Sequence, residues 1–220
     1  QFVANGFHAV HLPEEVGGQG GTLTDTACML EAATTALLPG PVQSTVTAGA
    51  VALLADDTAS RGTLLAALAG GASATVILAR DNDFRAVPAD GGWEVSGTSA
   101  PTLGARSART VLAAADTGES TLWFVIDPSG PGVDVGARPG TDKTVDVGVV
   151  RLDGYHCADG AVLTGVDDAR AQCVVIALAA GAASGVIRRC VQAVTDHLRT
   201  REQFGKPIGS FQLIQAKVAD

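Results

Sequence analysis

Residues 197–215 read HLRTREQFGKPIGSFQLIQ. Arg199 and Arg201, one position apart, close a long apolar-periodic run. Phe204-Gly205 then breaks the pattern, Pro207 follows, and a fresh amphipathic run begins. A basic turn between two helices stands out in this chain, because 15 Lys and Arg face 23 Asp and Glu for a net charge of -8. That balance argues against a polyanionic partner bound over a broad face, since phosphate contacts need clustered cations, and nucleic acid is set aside. On spacing alone, the two arginines read most simply as complements to the dipole at a solvated helix end.

Upstream of the turn lies GVDDARAQCVVIALAAGAASGVIRRCVQAVTDHLRTREQFG, residues 165–205. Asp167 and Asp168 stand where negative charge favours a helix start; Arg188, Arg189, His197, Arg199 and Arg201 collect toward the end. At about 1.5 Å per residue the helix runs roughly 50 Å, a length suited to a large bundle. Gly181 and Gly185, with Ala177 and Ser184 nearby, let a neighbouring helix approach closely. The uncharged run from Ala171 to Ile187 is marginal for a bilayer and rich in Ala, so a bundle helix is expected and no membrane span. Another helix starts after Pro207, and its packing partners are expected outside this sequence.

Residues 1–70 read as an N-terminal helical segment, itself incomplete. HLPEEVGGQGG is a loop, and Thr22 with Asp25 can cap a helix carrying Ala27, Leu30, Ala33 and Leu37 before LLPGP stops it. Two further helical runs follow, STVTAGAVALLADD and SRGTLLAALAGG. From residue 71 to 165 the period changes to short β-branched runs: SATVILA, GWEVSGT, RTVLAAA, STLWFVID, GVDVGAR and VDVGVVRLD. None holds an internal Pro, and their spacing suits a small antiparallel barrel or sandwich. Residues 166–220 then begin a C-terminal helical bundle. Cys28, Cys157, Cys173 and Cys190 lie far apart with no His at ligand spacing, which predicts reduced, buried thiols and no metal site. With no leader pattern in QFVANGFHAV, a cytoplasmic protein is expected.

An order of helices, β domain and long helix leading into REQFGKPIGSFQ resembles the acyl-CoA dehydrogenases along essentially the whole chain. LPEEVGGQGG is similar to that family's Pro-Glu-Glu-x-Gly-Gly loop, ALLPGP to an actinobacterial variant, and GWEVSGT to the strand before the flavin-facing turn. Arg201, Phe204, Gly205, Pro207, Ile208, Phe211 and Gln212 fall on the family's R-x-x-F-G-x-P-I-x-x-F-Q pattern. The resemblance implies an α+β acyl-CoA dehydrogenase-like fold and FAD as cofactor. It also implies that the turn reaches across a subunit interface to a neighbour's FAD. There Arg201 lies on the pyrophosphate, Phe204 packs by the adenosine half, and Gln203 and Gln212 contribute contacts. A pyrophosphate favours a forked, permanently charged donor, which Arg supplies better than Lys. The implied partners are an acyl-CoA substrate, a second acyl-CoA dehydrogenase chain in a homo- or hetero-oligomer, and an acceptor like electron-transfer flavoprotein.

Two departures qualify the resemblance. Flavin-binding members carry a T-E-P-x-x-G-S-D type loop after the first strand, where this chain reads VILARDNDFRAVPADGGWEVSG. The family's W-x-x-N turn falls on Pro101 to Gly104, so Pro101 stands where a Trp would lie against the flavin. Asp81, Asn82 and Asp83 read as a solvated turn. Glu14, Glu15, Glu31, Glu94, Glu119 and Glu202 offer no context that nominates a catalytic base. The expectation is a chain of a heteromeric enzyme that completes its partner's FAD site. A flavin-free structural subunit and a diverged homo-oligomeric enzyme remain the alternatives. The acyl group, fatty or steroid, stays open; small residues such as Ala177, Ala180 and Gly181 could leave space for bulk, though close helix packing is their commoner use.

Overall fold

The computed structural model describes residues 2–219. Helix α1 (Leu23–Thr35) opens with the expected capping box: the Thr22 hydroxyl accepts from the Asp25 N–H, and the Asp25 carboxylate accepts from the Thr22 N–H at 2.8 Å. α2 (Val42–Ala52) follows Pro41 and is buried from Thr45 to Ala52, so it is the central helix of the segment. α3 (Ala59–Ala69) starts where the Thr58 hydroxyl accepts from the Arg61 N–H.

Nine strands then build one sheet: β1 (Ala74–Ile77), β2 (Arg85–Ala89), β3 (Gly92–Thr98), β4 (Thr102–Leu103), β5 (Thr110–Asp116), β6 (Thr121–Ile126), β7 (Val133–Arg138), β8 (Val147–Ala158) and β9 (Val162–Leu163). Their order is β4-β8-β3-β2-β5-β6-β9, with β1 added on β5 and β7 on β8. The α+β class stands, but the sheet is mixed rather than antiparallel throughout. β1 runs parallel to β5, Ala74 opposite Thr110, and β2 meets β5 in parallel at Arg85 and Asp116. The β2–β4 excursion separates β1 from β5 and returns the chain in the same direction, which a hairpin cannot do. A Pro also sits inside a strand, against expectation. Pro88 pairs with Trp93 of β3, and because β5 contacts β2 only at Arg85, the edge lacking an N–H faces no partner strand.

One core lies between helices and sheet, including Leu12, Val51, Leu65, Leu112 and Trp123. A second fills the sheet's other side with Ile77, Phe84, Val111, Phe124, Ile126 and Leu152. Helix α4 (Asp168–Thr200, 33 residues) adds Ala171 to the first core. The Asp167 side chain caps it by accepting from the Arg170 N–H at 2.8 Å, and the Asp168 carboxylate accepts from Trp123 Nε1 and Thr121 Oγ1, each at 2.6 Å. A buried indole N–H thus finds its partner on the first turn of the helix. By length and composition α4 could cross a membrane. In this fold it instead buries Ala171, Leu178, Ala182 and Gly185. Leu178 and Ala182 pack with Leu30 of α1 and Val46 of α2.

The expected close approach is present. A Cβ at Gly185 would meet Thr34 Oγ1 at 2.1 Å and the Glu31 carbonyl oxygen at 2.2 Å. The Thr34 hydroxyl donates to the Ala182 carbonyl at 2.8 Å, and Arg188 pairs with Glu31. Gly181 lies against Ala27 in the same way, so its missing side chain serves helix packing rather than acyl space. The thiol expectation needs correction. All four cysteines are free, but Cys28 on α1 and Cys173 and Cys190 on α4 are exposed, because each helix buries only one narrow stripe of its surface. Cys157 is buried, and burial followed by the nearby Asp159 charge pushes its thiol up to about 11.

Gly185→Ala is expected to destabilise the fold by roughly 1–3 kcal/mol through overpacking against backbone. Gly160→Ala, where an added Cβ meets nothing within 4 Å, serves as the reference. Urea unfolding monitored by circular dichroism measures both.

Candidate functional site

Beyond α4 the chain forms a small hairpin, β10 (Glu202–Gln203) against β11 (Lys206–Pro207), with Gln203 opposite Lys206. The Arg201 N–H donates to the His197 carbonyl and the Arg201 carbonyl accepts from the Ile208 N–H, both at 2.8 Å, so the hairpin grows directly from the helix end. Its two-residue loop has Phe204 at φ 55° and Gly205 at φ 77°. Positive φ at both central residues is the signature of a type I′ turn, which suits the twist of a hairpin. Gly adopts this freely; a non-glycine residue there carries a cost of about 1–2 kcal/mol.

Phe204 is 92% exposed, its ring edge-on to Phe211 at 6.2 Å. Lys206 Nζ lies 4.4 Å from the Phe211 ring centre. Arg201, Gln203 and Gln212 are exposed as well, Gln212 at the first position of α5 (Gln212–Ala219). Among the described residues Arg201 has no salt-bridge partner. The fold therefore gathers Arg201, Gln203 and Phe204 on one projecting tip, with Gln212 one element further on. Basic side chains and an uncovered aromatic share that tip.

A cavity of about 320 Å³ lies under the segment predicted to face a flavin, lined by Ser44 and Thr47 of α2, Asp81, Pro101 and Thr102, and Val175 of α4. Asp81 is the carboxylate on its wall; the sequence signal for it, an acid directly after a strand, reads equally well as a solvated turn. The turn itself is stitched rather than simply solvated. Asn82 Nδ2 donates to the Leu78 and Ala114 carbonyls at 2.8 and 2.9 Å, and its Oδ1 accepts from the Phe84 N–H at 2.6 Å. Asp81 N–H bonds the Leu78 carbonyl, Asp83 N–H the Thr98 carbonyl and Ala100 N–H the Asp81 carbonyl. The N–H groups of Asp81, Asp83, Phe84 and Ala100 are thus already bonded within the fold. The tip thus offers a forked cation without a salt-bridge partner among the described residues, whereas the turn beside Pro101 is closed by its own hydrogen bonds.

Residues 172–220 match the family described as acyl-CoA dehydrogenase, C-terminal domain. Acyl-CoA dehydrogenase FadE34 of Mycobacterium tuberculosis is 32% identical over 217 residues, which is 96% of this chain and 27% of that protein. FadE28 of the same organism is 29% identical over 224 residues, 99% of this chain and 64% of its own length. Over nearly its whole length the chain is similar to acyl-CoA dehydrogenases. A solved variant of the Tcur3481-Tcur3483 steroid ACAD superposes with a TM-score of 0.87 at 26% identity, covering 99% of this chain and 61% of that one. The ChsE4-ChsE5 complex from Mycobacterium tuberculosis gives 0.87 at 25% identity, covering 100% and 62%. The chain spans between 27% and 64% of the length of these two curated relatives.

One titratable group escaped the sequence reading. His11 is 6% exposed, neither ring nitrogen has a hydrogen-bond partner, and an added Cβ on Gly49 would lie 2.6 Å from its Nε2. Burial, aided by the nearby His8, lowers its pKa to about 4. No motif marks it; only the tertiary packing of α2 on the N-terminal loop does.

The unfolded chain takes up this proton near the ordinary value of 6.5 while the folded chain resists to about 4. Stability is then fully present above pH 6.5 and falls as pH drops through that window, by roughly 3 kcal/mol in all. His11→Gln, which cannot titrate, is expected to flatten that part of the pH profile in urea unfolding between pH 7 and 4.

Proposed function

We propose that this chain serves an acyl-CoA dehydrogenase by completing the FAD site of a partner chain. FAD, when bound, supplies the hydride acceptor for α,β-dehydrogenation of an acyl-CoA thioester. Arg201 holds the pyrophosphate through its fork, Phe204 packs by the adenosine half, and Gln203 and Gln212 orient the nucleotide from either side. The observation that carries the reading is the projecting tip itself. A Phe held at positive φ with its ring 92% exposed, beside an unpaired Arg, is arranged for contact beyond its own fold. The bonded turn at Asn82 and the Pro at position 101 support assigning the ring end to the partner. The Tcur3481-Tcur3483 steroid ACAD and the ChsE4-ChsE5 complex are each named for two chains, which favours a heteromeric assembly for this chain too. Electron-transfer flavoprotein is the class of acceptor this reaction calls for. No Glu is assigned as base.

A second reading, a flavin-free subunit that only completes the bundle, draws on the same bonded turn. Arg201 separates the two. Truncation to Ala removes a charge-assisted contact of about 1.5–3 kcal/mol, roughly ten- to hundredfold in FAD affinity. Arg201→Lys is expected to recover only part, because the charge survives and the fork does not. Arg199→Ala, still within the last turn of α4, is expected to matter much less. FAD dissociation is measured on the full-length chain co-expressed with its partner, at two salt concentrations. Equal, small effects at both positions would leave the flavin-free reading standing.

A further inference from the structure

The hairpin at the end of α4 sorts its side chains by face. Opposite residues of an antiparallel pair share a face, and the face alternates along each strand. Gln203 stands opposite Lys206, and Glu202 opposite Pro207. Arg201 has extended backbone, φ -76° and ψ 122°, and its carbonyl accepts from the Ile208 N–H, so the alternation reaches it too. Arg201, Gln203 and Lys206 therefore share one face, and Glu202, the acid of the hairpin, lies on the other. On that shared face Arg201 and Lys206 are diagonal neighbours with backbones about 7–8 Å apart, a gap that two long side chains span. Lys206 is not a position that the R-x-x-F-G-x-P-I-x-x-F-Q pattern fixes, so its charge is a property of this chain. Its side chain is exposed and has no salt-bridge partner among the described residues. The ammonium rests 4.4 Å from the Phe211 ring centre, the ring to which Phe204 stands edge-on. At an exposed site such a contact is weak: it biases where the cation sits and leaves its charge available.

Resting on the FAD reading above, we infer that Lys206 is a second cation for the diphosphate of the partner's FAD, and that the Arg201–Lys206 pair makes the tip selective for a diphosphate over a monophosphate. One phosphate satisfies one fork, and Arg201 alone would serve either ligand. A diphosphate carries charge on two phosphorus centres and can engage the fork and the ammonium together, and the second contact forms without a second loss of ligand freedom. The two residue types divide the work accordingly. The planar guanidinium fixes the orientation of one phosphate, and the ammonium on its flexible stem follows the other as a point charge.

The test uses the full-length chain co-expressed with its partner and loaded with FAD. It measures FAD dissociation at two salt concentrations, and the concentrations of ADP and of AMP that displace FAD. In the natural protein ADP is expected to act at about tenfold lower concentration than AMP. Lys206→Met keeps an unbranched stem against Phe211 and removes the charge. It is expected to weaken FAD about three- to tenfold, to make the salt dependence shallower, and to shrink the ADP-over-AMP preference by a similar factor. Lys206→Arg is expected to restore most of both. Lys217→Met, the same loss of charge on α5, is expected to leave both within about twofold of the natural protein. If Lys206→Met acts like Lys217→Met, or leaves the ADP-over-AMP preference unchanged, while Arg201→Ala weakens FAD, this inference is overturned and the FAD reading stands. FAD binding weakened by neither Arg201→Ala nor Lys206→Met sinks that reading and this inference with it.

Discussion

The arrangement hangs on how α4 is held at one end. The Asp168 carboxylate receives Trp123 and Thr121 from β6, so the helix leaves the sheet at a fixed point and angle. From there Ala171 to Gly185 run along α1 and α2, and beyond Gly185 no α4 residue is buried. A helix anchored at its first turn and packed over its first half becomes a rigid arm over its second. Whatever sits at its far end is carried well away from the chain's own core, at about 1.5 Å per residue. The hairpin of Arg201 and Phe204 is what sits there.

Close helix contact is the second constraint, and it follows from composition. With 4% aromatic residues, this chain has few large side chains with which to fill gaps between helices. Density comparable to other protein interiors is reached by bringing backbones together instead. Gly185 against Thr34 and Glu31, and Gly181 against Ala27, are that solution. Thr34 makes it compatible with hydrogen bonding, since its hydroxyl reaches both the Leu30 and the Ala182 carbonyls. Beside the last turns of α1 the fit is looser, and the space becomes a cavity lined by Ala33 and Thr34 of α1 and by Ala179, Ala182 and Ala183 of α4.

Local signals were legible and long-range ones were not. The Thr22–Asp25 cap, the Asp167 cap and the glycine notch of α4 each declare themselves within a few residues, and the structure has them where the sequence puts them. β2 was missed because RAVPA carries a Pro, and only the sheet order reveals that Pro88 has no strand beside its bare edge. The parallel pairing of β1 with β5 was missed because residues more than thirty positions apart must meet for it to exist. The same holds for the cavities and for His11. The cavity walls come from α1, α2, β1, the turn at Asp81, β4, residues 142–145 and α4, and no spacing in one segment encodes a surface shared among seven.

The charge pattern is compatible with the anion site proposed for this acidic chain. A net charge of -8 summed over the molecule acts weakly at a tip held out on a helix, because exposed charges are screened beyond about 8–10 Å at physiological salt. What an approaching phosphate meets is local: Arg199, Arg201 and Lys206 around Glu202. The αL conformation of Phe204 adds to the same argument from the steric side. Gly or Asn would close that two-residue turn with less strain. An aromatic ring kept there, edge-on to Phe211 and otherwise in solvent, stabilises nothing within the fold beyond that single ring contact. Strain without internal compensation points outward, to a surface that covers the ring once the assembly forms. In the proposed complex that surface is the adenosine end of the partner's FAD, so the residue least suited to its backbone is the one with most to gain from assembly.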